Sequence, residues 1–396
     1  MAEQPPHGAI MVVSDLHLDR LFAVRTLGAT GIPEAWEVNS GVLQEIRQIV
    51  DEYEVSAVVF AGDIFDTAFP KPEPQERLAD FIKSLPTDCP SVLVLGNHEL
   101  LGLPPGQRTC LRRFCSTSLV FDADCDVAQL YGRAEGVQLL VGPWPSPALY
   151  TGPYDREQLA TWLSRLNAAA DRLAAGMPAV AVAHAEVESD FHPVAWGSNI
   201  SVDPGALHAL PVSQVALGHI HHRYVFTPKV HYVGAPNRLK FGDDDEPTGV
   251  SLIEPQTGAT YFVPTKTARR LRTIRQWPPT QDEQERIPGA WVRVILPTEL
   301  FPDISHAQAA SLVTELGGKM HSFVRQPAAM FAESEASGTR AVEQAHARQL
   351  VMGAQSDPAP WILQWAYKKM PQQFADEHFK RAFAACLSEV IGEVSR

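Results

Sequence analysis

Cysteine is scarce in this sequence: Cys89, Cys110, Cys115, Cys125 and Cys386 are the five among 396 residues, and none forms a CxxC pair. That spacing excludes the common zinc-finger patterns and gives no even disulfide framework, so reduced thiols of a cytoplasmic protein are the expectation. Long apolar runs are missing too. No stretch of about 18 apolar residues occurs, and no membrane span is expected. The opening MAEQPPHGAIMVV has no basic segment ahead of its apolar run, so no signal peptide is read there. Basic residues are in short supply, 33 Lys and Arg against 46 Asp and Glu, for a net charge of −13. This argues against broad electrostatic binding of nucleic acid. It leaves open a local basic contact, because affinity follows the charges that line the interface.

The first 260 residues alternate short apolar runs with amphipathic stretches. Ala9–Val13, Val55–Ala61, Val92–Leu95, Val137–Val141, Ala179–Ala183 and Val212–Leu217 read as strands buried on both faces. Between them, Val42, Ile46, Ile49 and Val50 line one helical face, Leu78, Phe81, Ile82 and Leu85 a second, and Leu159, Trp162, Leu163, Leu166 and Leu173 a third. Val230–Val233, Gly249–Ile253 and Thr260–Val263 read as a strand meander. The fold class is therefore α/β, a layered arrangement of two sheets back to back flanked by helices, spanning residues 1–264.

A small α+β unit follows at 265–326. It opens on a basic run (Lys266, Arg269, Arg270, Arg272, Arg275) and a Pro-rich charged loop at 277–288, then predicts a strand at Trp291–Leu296, a helix at Ala307–Leu316 and a strand near 320–325. Residues 327–360 read as a linker ending in Asp357-Pro358-Ala359-Pro360. The segment 361–396 reads as an amphipathic helix, with Phe379, Phe383, Leu387, Val390, Ile391 and Val394 at helical spacing, suited to docking on a partner chain.

Five short motifs stand at the ends of predicted strands: Ser14-Asp15-Leu16-His17, Gly62-Asp63-Ile64-Phe65-Asp66, Gly96-Asn97-His98-Glu99, Ala183-His184 and Gly218-His219-Ile220-His221. Strand C-termini gather such loops into one crevice, so ligands far apart in sequence converge. Each motif alone is weak; the ordered set is what a dinuclear metal site needs. Imidazole, carboxylate and one amide oxygen, without thiolate, suit manganese, with magnesium or iron as alternatives. Asp63 is the natural bridging anion between two cations. Asn97 adds a ligand oxygen without charge, and His98 beside it is free to face substrate. His222 reads as a solvent-facing neighbour of His221.

The motif series resembles the calcineurin-like metallophosphoesterase superfamily. Within it, AGDIFDT at 61–67, ALGHIHHRY at 216–224, HYVGAPNRLKFGDDD at 231–245 and the basic start of the second unit resemble SbcD-type DNA repair nuclease subunits. The resemblance implies one metal on Asp15, His17, Asp63 and His221, and a second on Asp63, Asn97, His184 and His219. It makes His98 and Asp63 the catalytic residues, with Asp66 and Glu99 in support. Residues 265–326 become a capping domain that positions DNA, and residues 361–396 a helix gripping an SbcC-like SMC-type ATPase. A homodimer through the Leu78–Leu85 stripe and a cytoplasmic, nucleoid-associated location follow from the same resemblance. Two positions depart from the family pattern: Glu99 stands where aspartate is usual, and Asp19 where glycine is common.

The expected activity is metal-dependent phosphodiester hydrolysis on DNA, exonuclease and single-strand endonuclease, in end processing, repair or recombination. Arg223, Lys229, Arg238, Lys240, Lys266, Arg269, Arg270 and Arg272 are candidate phosphate contacts. The alternatives are a phosphatase or small-molecule phosphodiesterase on the same scaffold, a nuclease of an antiviral or mobile-element system, or a non-enzymatic scaffold. Intact residues at every motif argue against the last.

Overall fold

A computed structural model describes residues 7–20, 34–100, 109–121, 124–145, 156–187, 201–244 and 247–328. These lie in one compact unit, Met1–Ala328. The proposed docking helix at 361–396 and all but the first two residues of the 327–360 linker fall outside the described residues.

In chain order the elements begin with β1 (Ile10–Val13), α1 (Glu34–Glu52), β2 (Ala57–Ala61), α2 (Pro72–Ser84), β3 (Ser91–Val94), β4 (Leu119–Phe121), β5 (Asp126–Gln129) and β6 (Gln138–Gly142). There follow α3 (Arg156–Ala170), β7 (Ala179–His184), α4 (Pro204–His208), β8 (Gln214–Gly218), β9 (Tyr224–Thr227), β10 (Val230–Tyr232), β11 (Gly249–Ile253) and β12 (Thr260–Pro264). The last group is β13 (Leu271–Ile274), α5 (Gln281–Arg286), β14 (Trp291–Pro297), α6 (His306–Glu315) and β15 (Lys319–Gln326).

Two six-stranded mixed sheets carry the first part, in the orders β12-β11-β1-β2-β3-β4 and β5-β6-β7-β8-β10-β9. Their inner faces form one shared core, in which Ile10, Val12, Val59 and Val94 of the first sheet pack with Leu139, Val141, Val180 and Ala216 of the second. Each outer face is covered by helices. Val42, Ile46, Ile49 and Val50 of α1 and Leu78, Phe81 and Ile82 of α2 close over the first sheet, and Leu159, Trp162 and Leu166 of α3 over the second. Strands sandwiched in this way are apolar on both faces, which is why β1, β2 and β3 read as unbroken runs.

Two expectations change. The stripe Leu78, Phe81, Ile82 and Leu85 is at most 7% exposed in the single chain, so it serves the chain's own core and is not a surface for a second copy. The three late strands are also not one meander. β9 and β10 form an antiparallel hairpin on the edge of the second sheet, and β11 and β12 form another on the edge of the first. The chain crosses from one layer to the other between Tyr232 and Gly249, which gives each sheet a local hairpin at one edge.

The third sheet is all parallel, β13-β14-β15. One of its faces packs with Ile287, Ala309 and Val313 into a core of its own. Residues 277–288, expected as loop, contain α5, opened by a capping box between Thr280 and Glu283. Polar clamps fasten this sheet to the layers before it: Glu45 on α1 accepts from the N–H groups of Lys266 and Thr267 at 2.7 and 2.8 Å, and Asn237 from that of Arg269 at 2.7 Å.

Candidate metal centre

The five loops meet because β1, β2 and β3 of one sheet and β7 and β8 of the other run parallel, placing their C-terminal ends on one side. The loop after β1 continues the pairing past the strand: Asp15 N–H donates to Gly62 O at 3.1 Å, His17 N–H to Asp63 O at 3.0 Å and Leu18 N–H to Ile64 O at 2.9 Å. Asp15 in turn accepts the N–H of His219 at 3.1 Å, fastening the loop after β8. Gly218 stands where the sheets come closest, since a Cβ there would run into the carbonyl of Ala61 and come within 2.8 Å of His184 Nδ1.

Four candidate ligands hold left-handed backbone: Asp15 (φ 54°), His17 (φ 44°), Asp63 (φ 50°) and His219 (φ 107°). Glu54 is the only other non-glycine residue with positive φ among the described residues. Such backbone costs roughly 1–2 kcal/mol per residue. The four together cost about 4–8 kcal/mol, comparable with the ~5–15 kcal/mol net stability of a typical domain. Only strong constraints keep a chain there, and such strain gathers at functional sites.

Among the described residues, the potential ligands form three groups, one of them His17, Asp66 and His98, and a carboxylate stands between the other two. Ligand atoms of Asp15, His17 and His221 lie within 4.8 Å of one another, as do those of Asp63, His184 and His219. Asn97 Oδ1 joins the second group, 2.9 Å from His184 Nε2 and 3.0 Å from His219 Nδ1. Asp63 Oδ2 stands between the groups, 3.5 Å from His184 Nε2 and 3.8 Å from His17 Nε2. Among the described residues it is the carboxylate within 4 Å of a histidine of each group.

Supporting contacts decide which nitrogen faces inward. His184 Nδ1 donates to Ala61 O at 2.8 Å, which turns Nε2 toward Asp63 and Asn97. His17 Nδ1 lies 2.9 Å from Asp66 Oδ1, leaving Nε2 for the centre. Glu99 is fully buried and accepts three main-chain N–H groups, those of Phe65 and Gly96 at 2.9 Å and of Asp63 at 3.2 Å. The Glu99 carboxylate therefore braces the loops of β2 and β3 against each other.

Burial and charge oppose each other throughout. Burial works against the charge of Asp63, yet His184 and His17 hold its carboxyl far below the usual range. Burial would lower His184, but Asp63 and Asp15 hold it up at about 9. Glu99 is pushed up to about 7 by burial and by Asp63. His221 is pushed well below the usual imidazole range by burial and by His17.

The residues fit a pair of divalent cations. Among the described residues, the buried His17 Nε2 and His221 Nδ1 have no hydrogen-bond partner, a deficit of about 1–3 kcal/mol each unless something binds there. Ligand atoms about 2.1 Å from a cation and at right angles to each other stand about 3.0 Å apart, which is the spacing around Asn97 Oδ1. The donors are nitrogen and oxygen only, which suits manganese, iron or magnesium.

Other candidate residues are placed differently. His98 lies at the edge of the cage, its side chain 29% exposed where those of His17 and His184 are 0%. Its N–H donates to Asp63 Oδ1 at 2.9 Å, and its Nε2 is 4.0 Å from Asp63 Oδ2. His222 is not the solvent-facing neighbour expected; its side chain is 15% exposed, with Nε2 3.5 Å from Asp243. Five of the eight basic residues have structural engagements. Arg223 lies over the Phe262 ring and donates to Ser251. Lys229 donates to His208 O, Arg238 to Asp243 O and Arg269 O, Arg269 to Arg238 O, and Arg272 to Asp244 O. Lys240, Lys266 and Arg270 are exposed. Sequence reasoning passed over Trp144, whose indole packs on His219 at 4.8 Å and meets His184 at 5.8 Å. Its position just beyond the end of β6 was the signal available.

The profile of the calcineurin-like phosphoesterase family matches residues 8–223. The chain is similar to the SbcD component of the SbcCD nuclease of Staphylococcus epidermidis, 23% identical over 260 residues that cover 59% of this chain and 65% of that protein. It is similar to the same component in Staphylococcus saprophyticus, at 22% over 284 residues, 67% of this chain and 71% of that protein. The Rhodobacter capsulatus counterpart is 26% identical over 249 residues, 55% of this chain and 61% of that protein. The chain thus spans about two thirds of the length of the curated relatives it matches.

If Asp63 serves both groups, Asp63→Asn should lower bound metal from two ions per chain to one or none and abolish phosphodiester turnover. Elemental analysis of the purified variant, read beside its activity, checks this; two ions with normal turnover would remove Asp63 from the bridging position.

Proposed function

Because this chain belongs to the calcineurin-like phosphoesterase family, whose members use divalent metals, we propose that it is a two-metal deoxyribonuclease, with manganese the best suited ion, acting beside an SbcC-like ATPase in DNA end processing. The observation that carries the phosphodiesterase reading is the part-exposed imidazole of His98 on the rim of a cage of mostly buried carboxylates and histidines. Two divalent cations, when bound, supply Lewis acidity toward phosphodiester oxygens and acidify a water molecule.

The chain's own residues do the rest. Asp15, His17, Asp63, Asn97, His184, His219 and His221 hold the cage, and Asp66 and Glu99 fix its loops. His98 sits on its rim, with Nδ1 3.1 Å from Asp66 O and Nε2 4.0 Å from Asp63 Oδ2, so its Nε2 is placed where a phosphodiester on the cage would meet it. An imidazole so placed can stabilise or protonate the departing sugar oxygen. His98→Ala should keep two metals while losing phosphodiester cleavage by about 10²-fold or more. Loss of metal in that variant would make His98 a ligand instead.

DNA is favoured over a small phosphoester by the surface next to the cage's last strands. Lys240, Lys266 and Arg270 are exposed there. On the third sheet, Arg293 lies 4.8 Å from the Phe241 ring, Lys319 5.5 Å from the Trp291 ring, and His321 4.6 Å from Phe241. Lys240, Lys266, Arg270 and Lys319 are the exposed cations that can meet a phosphate backbone, while the Trp291 ring is buried with Phe241 packed against it. Replacing Lys240, Lys266 and Arg270 together by alanine should weaken DNA cleavage and flatten its salt dependence, while hydrolysis of a small diester stays unchanged. Equal loss on both substrates would count against a DNA surface.

The ATPase partnership rests on the named relatives, which are components of the SbcCD nuclease, and on the amphipathic spacing of residues 361–396. A chain ending at Pro360 should remain a metal-loaded diesterase and no longer co-purify with the ATPase. Unchanged co-purification would separate the partnership from this segment.

A further inference from the structure

Asp19 stands two residues beyond His17, where the family resemblance leads one to expect glycine. Its carboxylate accepts the main-chain N–H of Asp66. Its own carbonyl accepts the indole N–H of Trp36 at 3.3 Å, and that ring is flanked by Lys71 at 5.7 Å and Arg77 at 5.9 Å. Asp19 is thus anchored on one side to α1 and on the other to the loop after β2.

Asp66, the residue it holds, is where two histidines with different duties meet. Asp66 Oδ1 is 2.9 Å from Nδ1 of His17, and Asp66 O is 3.1 Å from Nδ1 of His98. The two are not equally dependent on it. His17 is also fixed by its N–H on Asp63 O and by the next residue's N–H on Ile64 O. The ring of His98 is met by Asp66 O at 3.1 Å, Asp66 Oδ1 at 3.6 Å, Asp63 Oδ2 at 4.0 Å and the edge of the His17 ring. A shift of the Asp66 main chain therefore reaches the aim of His98 before it reaches the cage. Arg20 also touches Asp66, at 3.1 Å, but both side chains are about a third exposed and their attraction is screened. The Asp19 contact, carboxylate to main-chain N–H, is of the charge-assisted kind.

We infer that Asp19 is a positioning residue, which fixes the Asp66 main chain and through it directs the His98 imidazole at the departing oxygen of the substrate. This rests on the reading of His98 given above. It makes the aspartate at this position, in place of the smaller residue expected, a working part of the reaction.

The test compares full-length, manganese-loaded wild type, Asp19→Ala, Asp19→Asn and His98→Ala on two diesters. Bis(p-nitrophenyl) phosphate has an activated leaving group that needs no acid, and a thymidine dinucleotide has an alkoxide leaving group that does. Asp19→Ala should keep two metals and its KM, lose about 10-fold or more in kcat on the dinucleotide, and change little on the aryl diester. Asp19→Asn retains an acceptor oxygen and should recover most of the loss. Asp19→Leu, branched at the same carbon and without an acceptor, gives the same readout if the alanine variant folds poorly. Independently of turnover, the His98 Nδ1–H proton resonance of the magnesium-loaded protein, assigned by its absence in His98→Ala, should weaken or vanish in Asp19→Ala. Equal loss on both diesters, loss of metal, or an unchanged His98 resonance would overturn the role of Asp19 alone. A His98→Ala enzyme that loses both diesters alike would overturn the reading of His98, and Asp19's role with it.

Discussion

A carboxylate shut away from water must find positive charge nearby, and Asp63 is where that requirement shapes this molecule. It is 1% exposed, yet its carboxyl is held ionised by the imidazoles of His17, His184 and His98, all within 4.0 Å. Imidazolium can supply that charge, and Asp63 and Asp15 hold His184 above its ordinary value, but each such charge is itself buried. Two nitrogens without a partner among the described residues, His17 Nε2 and His221 Nδ1, lie at the same place. Divalent cations resolve both problems together, which is why the site reads as a metal centre more readily than as a proton network.

The rest of the fold holds Asp63 there. Two sheets packed face to face bring the ends of β2, β3, β7 and β8 together, with Gly218 allowing the contact. Glu99 then ties the Asp63 loop to the β3 loop, and Asp15 ties the β1 loop to His219. Four residues kept at positive φ show how tightly this network is drawn. Each contact is one or two hydrogen bonds of about 1 kcal/mol net. It is their interlocking, and not any single bond, that outweighs the backbone strain.

Much of this was legible in the sequence, and the exceptions have physical reasons. The layered α/β class and the main strands could be read because strands covered on both faces are continuous apolar runs, as in Ala57–Ala61 and Ala179–His184. The seven clustered side chains could be read because each ends such a run. The short strands β4, β5, β9 and β13 could not, since three or four residues with mixed burial carry no clear period. The basic residues misled in a different way. A sequence counts charges, but Arg238 and Arg269 each spend theirs on the other's main-chain carbonyl across a fold that sequence does not reveal. Asp19 meets Asp66, 47 positions away, and Trp144 meets His184 and His219, 40 and 75 positions away, so their neighbours could not be read from the local sequence.

The central claim is a pair of cations sharing Asp63, and electron paramagnetic resonance of the manganese-loaded chain tests it most directly. Two ions about 3.5–4 Å apart across one carboxylate must be magnetically coupled. Titration should give two manganese per chain and a spin-coupled signal, replaced in Asp63→Asn by that of isolated ions or none. A single ion per chain, or two whose spectra show no coupling, would contradict the account.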